Sequence, residues 1–188
     1  MAEAILRTPA SAQDVLALRA GDRVLLSGTV YTARDAAHRR MVELIENGGE
    51  LPFELSGAAI YYCGPAPAPP GRVIGSAGPT TSGRMDGYAP LLISRGLRVM
   101  IGKGPRGEGV LEAMRRHGAV YLAAPGGAGA LLARCITDCE LVAWPELGPE
   151  AVRRLTVKDM PLITACDAHG GNLYVTGPEA CLARMKTK

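Results

Sequence analysis

Short apolar runs alternate along this chain with segments whose apolar positions recur every three or four residues, a pattern that predicts mixed α and β structure. Ser11 followed by Asp14 predicts a capped helix through Leu18, and Gly21-Asp22 turns the chain into a strand over 23–31. A second helix, capped by Asp35, is expected through Glu46. Met41, Leu44 and Ile45 share one of its faces, and Asn47-Gly48-Gly49 ends it. A buried strand is predicted over 58–63. Beyond it, helices are expected over 85–95, 108–117 and 128–136, and strands over 97–101, 119–124 and 140–144. The tail over 152–174 reads as further strands. The Pro-rich stretch from Gly64 to Gly71 has the composition of a linker, but strand-like residues over 72–77 resume at once, so a rigid extended loop is expected instead. No internal repeat is visible, and residues 1–188 are expected to form a single domain.

With 188 residues, 47% of them hydrophobic, the chain has enough apolar material for one core. The net charge of +3 is mild, Lys and Arg form no run, and one Phe, six Tyr and one Trp leave few rings for base stacking. Nucleic acid is therefore excluded as a partner, and small anions suit the charge better. No apolar run reaches the roughly 18 residues of a membrane span, so no membrane partner is expected. Residues 1–20 carry Glu3, Arg7 and Asp14 and lack a signal-peptide core, which makes a cytoplasmic location the expectation. The five cysteines, Cys63, Cys135, Cys139, Cys166 and Cys181, include no Cys-x-x-Cys pair. They read as small apolar residues, with no metal site made by this chain alone.

Four motifs sit where a strand is expected to lead into a helix. In Gly78-Pro79-Thr80-Thr81-Ser82-Gly83-Arg84-Met85-Asp86, outward N–H groups at a helix start, three hydroxyls and an arginine suit an anion; an ordinary turn-and-cap explains the composition equally well. Arg34-Asp35-Ala36-Ala37-His38-Arg39-Arg40 puts Arg34 at a strand end, where α/β sites gather, although a capped helix with a solvated basic face is the simpler reading. Gly102-Lys103-Gly104-Pro105-Arg106-Gly107 formally matches a dinucleotide fingerprint. Pro105 disturbs the helix start and no acidic residue ends the next strand, so nucleotide binding is rejected. A lysine between two glycines still suits close approach to an anion. Pro125-Gly126-Gly127-Ala128-Gly129-Ala130 is best explained by tight helix packing. His117 is expected near a helix end and His169 in a turn, with no metal partner for either.

Together these segments resemble a known family. Thr32-Ala33-Arg34-Asp35-Ala36-Ala37-His38, the stretch from Gly75 to Asp86, Ile101-Gly102-Lys103-Gly104, Pro125-Gly126-Gly127-Ala128-Gly129-Ala130 and Asp167-Ala168-His169-Gly170-Gly171-Asn172-Leu173-Tyr174 are similar, in order and spacing, to the β subunit of class I iron–sulfur fumarases and L-tartrate dehydratases. The resemblance covers nearly the whole chain and implies a swivelling β/β/α domain. It also implies a reaction, reversible addition of water to a trans-ene dicarboxylate. A [4Fe–4S] cluster and the carboxylate base would be supplied by a partner α subunit, in an assembly of two α and two β subunits. Matched residue by residue, Arg34, Thr81, Arg84 and Lys103 would bind the small dicarboxylate substrate, and Thr80 would be the catalytic group at the reacting carbons. Pro52-Phe53-Glu54-Leu55 and the stretch from Ala59 to Pro65 look fumarase-like, whereas the stretch from Asp167 to Leu173 leans toward the tartrate enzymes. A dicarboxylate-binding domain without catalysis is the reading from a different class.

Overall fold

A computed structural model describes residues 3–186. Five strands run parallel in the order of the chain: β1 (Glu3–Thr8), β2 (Arg23–Thr32), β3 (Ala59–Tyr61), β4 (Val99–Gly102) and β5 (Val120–Ala123). The crossovers between them carry α1 (Ala12–Ala17), α2 (Asp35–Glu46), α3 (Ala89–Ser94) and α4 (Glu108–His117). After α5 (Gly129–Arg134) and β6 (Ile136–Ala143), the 15-residue strand β7 (Val152–Cys166) runs antiparallel to β2, β5 and β6. Because β7 hydrogen-bonds to both β2 and β5, the strands β2, β3, β4, β5 and β7 close into a ring, with β1 and β6 laid on its margins. A terminal helix, α6 (Leu173–Lys186), follows.

Both faces of the central strands are buried, which is why their sequences read as continuous apolar runs rather than strict alternation. Tyr61, Ile101 and Leu122 face one core with Val24, Leu26 and Leu155. Their neighbours Tyr62, Met100 and Tyr121 face a second core, covered by Met41 of α2, Leu92 of α3 and Met114 of α4. Each such fully buried side chain contributes on the order of 1.5–3 kcal/mol.

The predicted capping box holds: Ser11 Oγ accepts from the Asp14 amide at 3.2 Å, and Asp14 Oδ2 accepts from the Ser11 amide at 3.0 Å. Elsewhere local expectations give way. Residues 72–77 are not a strand. They fold back on the Pro loop, with the Ala66 amide bonded to the Ser76 carbonyl at 2.9 Å, beside prolines that have no N–H for a ladder. The helix expected over 85–95 splits into a 3₁₀ turn, Ser82–Met85, and the short α3 with Pro90 in its first turn. The tail is one long strand and a helix rather than strands to Tyr174. Asn172 makes the change, its Oδ1 accepting from the Tyr174 amide at 3.0 Å and its carbonyl from the Thr176 amide. The strand β1 went unpredicted: with Ile5 exposed, its alternation is too short to read.

Candidate anion site at the carboxyl ends of the parallel strands

Because β2, β3 and β4 are parallel, their carboxyl ends lie along one edge of the sheet, and the loops leaving them meet there. Arg34 follows β2 by two residues and Lys103 follows β4 by one. The loop over 79–84 is drawn between the ends of β3 and β4. The Thr80 amide donates to the Tyr62 carbonyl at 2.7 Å, the Ser82 amide to the Lys103 carbonyl at 2.8 Å, and the Lys103 amide to the Thr80 carbonyl at 3.3 Å. Thr81 and Lys103 thus face each other as a parallel bridge. This corrects the expectation of a helix start with free amides: the 3₁₀ turn is four residues long, and the Thr80 and Ser82 amides are used to extend the sheet.

Arg84 and Arg34 meet through Asp35. Arg84 Nε donates to Asp35 Oδ1 at 2.8 Å, and Arg34 Nη2 lies 3.9 Å from Asp35 Oδ2. Asp35 is the first helical residue of α2 and not its cap. The cap comes from Glu150, 114 residues away, whose Oε2 accepts from the Ala36 amide at 3.0 Å while its Oε1 pairs with Arg34 at 3.2 Å. Gly64 leaves the space for this: a Cβ there would stand 2.9 Å from Arg34 Nη1. All five residues singled out in the sequence therefore lie on one edge, Arg34 with Arg84 and Thr80 and Thr81 with Lys103. Lys103 and Thr81 are exposed, Thr80 is half-buried, and among the described residues neither the Lys103 ammonium nor the Thr80 hydroxyl has a protein partner.

Beneath this edge lies a set of buried polar groups that sequence reasoning missed. Arg106, whose side chain is fully buried, donates from Nε to Asp86 Oδ1 at 2.7 Å and from Nη1 to the Tyr62 hydroxyl at 3.2 Å. Its guanidinium lies between the rings of Tyr62 and Tyr121, at 5.2 and 5.1 Å. Asp86 Oδ2 also accepts from the Gly107 amide at 2.6 Å, tying the end of one motif to the end of the other. The presence of Arg106 in a glycine-rich turn was the available signal; its burial was not legible.

His38 packs edge-on against Tyr62, Nδ1 bonded to the Arg34 carbonyl at 2.9 Å and Nε2 buried without a partner. Since a carbonyl only accepts, Nδ1 carries the proton. Burial, opposed by that bond and reinforced by the Arg106 charge, lowers its pKa to about 4. The folded state therefore holds His38 neutral where the unfolded chain begins to protonate it. Its contribution is complete above pH 6.5 and falls by about 1.4 kcal/mol per pH unit down to about pH 4, about 3 kcal/mol in all. The His38→Asn variant, which retains a donor for the Arg34 carbonyl, should lose that much less stability than the wild type between pH 7 and pH 4 in urea titrations. Equal losses would mean His38 does not titrate this way.

The other sequence-marked groups are structural. Gly129 packs so closely that a Cβ would stand 2.5 Å from Ser76 Oγ and 2.9 Å from the Gly78 nitrogen. Asp167 accepts from the amides of Ala20, His169 and Gly171, each at 2.8 Å, and fastens the Asp167–Asn172 turn to the start of β2. His169 Nε2 bonds the Leu16 carbonyl at 2.9 Å, and His117 closes α4.

The cysteines do not fit a metal cluster. They stand on separate elements, burial pushes the Cys63 and Cys166 thiols up to about 12 and about 11, and among the described residues no three His, Cys, Asp or Glu side chains gather as ligands. No helix is long and apolar enough to cross a membrane among the described residues.

Fold and site together define an α/β module that brings three cations and two threonines to one sheet edge. Residues 2–177 match the family described as Fumarase C-terminus, and the chain belongs to it. It is 43% identical over 156 residues to fumarate hydratase 2 of Leishmania major, covering 82% of this chain and 28% of that protein. It is 44% identical over 154 residues to the anaerobic class I fumarate hydratase of Escherichia coli K12, covering 81% of this chain and 28% of that protein. The "Putative L(+)-tartrate dehydratase subunit beta" of Methanocaldococcus jannaschii is 41% identical over 168 residues, 86% of each chain. This chain thus spans little more than a quarter of these two fumarate hydratases.

Proposed function

We propose that this chain is the substrate-clamping part of a class I hydro-lyase that reversibly hydrates fumarate to L-malate, in a site shared with a partner α subunit that holds a [4Fe–4S] cluster. The observation that carries this reading is the convergence of Arg34, Thr80, Thr81, Arg84 and Lys103 on one edge, in a chain similar to fumarate hydratases over most of its length. A dicarboxylate needs cationic partners at both ends and its reacting carbons held still between them. Arg34 and Arg84, spaced by Asp35, hold one carboxylate; Lys103 and Thr81 hold the other. The unpartnered hydroxyl of Thr80 then serves the reacting carbons. Closure of the domain over its partner excludes water from these contacts. The partner also supplies the carboxylate base, so this chain alone is inactive as a hydratase.

The test is reconstitution. Co-expression with a polypeptide similar to the remaining length of the fumarate hydratases, under anaerobic conditions, should give malate-forming activity that neither chain has alone. Turnover by the isolated chain would overturn the shared site. Arg84→Ala in the assembled enzyme should lower kcat/KM by the equivalent of ~2–5 kcal/mol, the cost of leaving a desolvated carboxylate without its cation. Near-normal kcat/KM would reduce Arg84 to an ion-pair partner of Asp35. The similarity to a tartrate dehydratase β subunit of nearly the same extent favours L-tartrate as the second substrate to assay. Turnover of tartrate but not fumarate would reassign the substrate within the same clamp.

A further inference from the structure

We propose that Tyr121 is a positioning residue for this site: its hydroxyl pins the loop carrying Thr80, Thr81 and Arg84 to the loop carrying Lys103, and so sets the spacing of the groups that receive the dicarboxylate. The proposal rests on the dicarboxylate reading above. It begins from two hydrogen bonds on one oxygen. The Tyr121 hydroxyl donates to the Gly104 carbonyl at 2.9 Å and lies 2.8 Å from Ser82 Oγ. Its single proton goes to Gly104, so the Ser82 hydroxyl donates to Tyr121 and one oxygen links both loops.

The backbone bridge between the loops, Ser82 amide to Lys103 carbonyl and Lys103 amide to Thr80 carbonyl, stops at the lysine; the Gly104 carbonyl beyond it is held by Tyr121. Lys103 stands between Gly102 and Gly104, and Gly104 adopts φ +83°, a conformation open chiefly to glycine. The Gly102 side of the lysine is held by the β4 ladder, paired with Ala123; the Gly104 side is held through its carbonyl by Tyr121. Without that bond the Gly104 carbonyl is free to rotate, and the bridge at Lys103 is left at the end of the ordered backbone and loosens from that side. Ser82 is equally constrained: a Cβ on Gly102 would stand 2.1 Å from its Oγ, so the serine side chain lies directly on the backbone of the lysine loop.

Tyr121 itself is rigid. It sits within β5, in register with Met100 of β4 and Cys166 of β7, and the Arg106 guanidinium lies 5.1 Å from its ring centroid. A group anchored in the sheet thus fixes two irregular loops that extend beyond it. Thr80 is also held by the Tyr62 carbonyl at the end of β3, at 2.7 Å, so loss of the pin displaces Lys103 and Thr81 more than the reacting hydroxyl.

The test uses Tyr121→Phe, which keeps the ring, and Ser82→Ala, which cuts one of the two links and covers the case in which the tyrosine variant folds poorly. In the isolated chain, hydrogen exchange at the Ser82 and Lys103 amides should quicken about tenfold or more in Tyr121→Phe, while the Val120 amide in the sheet keeps its protection. In the assembled hydratase, KM for fumarate should rise about tenfold with kcat within about threefold of wild type. Ser82→Ala should give a smaller rise of the same kind. A loss of folded enzyme alone would lower kcat at unchanged KM, so that pattern overturns the proposal, as does unchanged exchange at Ser82 and Lys103. A wild-type assembly that turns over no dicarboxylate instead removes the hydratase reading on which the proposal rests, and is seen before any variant is compared.

Discussion

Thr80→Val in the assembled hydratase is expected to lower kcat by roughly 10²–10⁴, the usual effect of removing a positioned proton donor, with little change in KM. The backbone of Thr80 is fixed by its amide on the Tyr62 carbonyl and its carbonyl on the Lys103 amide. Valine keeps both bonds and the shape, and the hydroxyl it removes has no partner among the described residues. Stability should therefore change by about 1 kcal/mol or less. Thr80→Ser keeps the hydroxyl and should retain much more activity. The measurement is kcat for both variants beside their melting temperatures. Full activity in a well-folded Thr80→Val assembly would leave this chain a carboxylate clamp without a part in the chemistry.

The second large effect is on stability and is asymmetric. Asp86→Ala should cost about 3–5 kcal/mol, because it strands the Arg106 charge in a site where its side chain has no solvent contact. Arg106→Met should cost less, about 1–2 kcal/mol, since methionine fills the space between Tyr62 and Tyr121 and Asp86 keeps the Gly107 amide and partial solvent exposure. Chemical denaturation of the two variants checks the order. A larger loss for Arg106→Met would mean that the guanidinium's stacking on the two rings, and not the charge balance, holds the loops together.

The groups proposed to touch substrate and the buried groups beneath them were not equally legible, and the sequence was informative about only the first. Arg34, Thr80, Thr81, Arg84 and Lys103 lie in motifs that follow strand-like runs, but it was the resemblance to a known family, matched residue by residue, that singled them out. The alternation of elements was legible because helices such as α4 and strands such as β4 carry local periodicity and local stop signals. Ser11 with Asp14 capped α1 as expected because both partners lie within one turn.

What tertiary structure decided depends on residues far apart in the chain. The long β7 closes the strands into a ring by pairing with β2 and β5, contacts that no local pattern encodes. Residues 72–77, with Val73 and Ile74 among them, read as strand-like, yet the Gly75 amide and the Ser76 carbonyl bond to Ala66 of the Pro loop. Glu150 caps α2 at Ala36 across 114 positions while pairing with Arg34, and Asp86 neutralises an arginine twenty residues on. The sequence by itself determined which residues carry charge and hydroxyls at strand ends, since that chemistry is local. Only the closed sheet decided which of them meet, and which buried partners hold them there, because burial and ion pairing are properties of the packed chain.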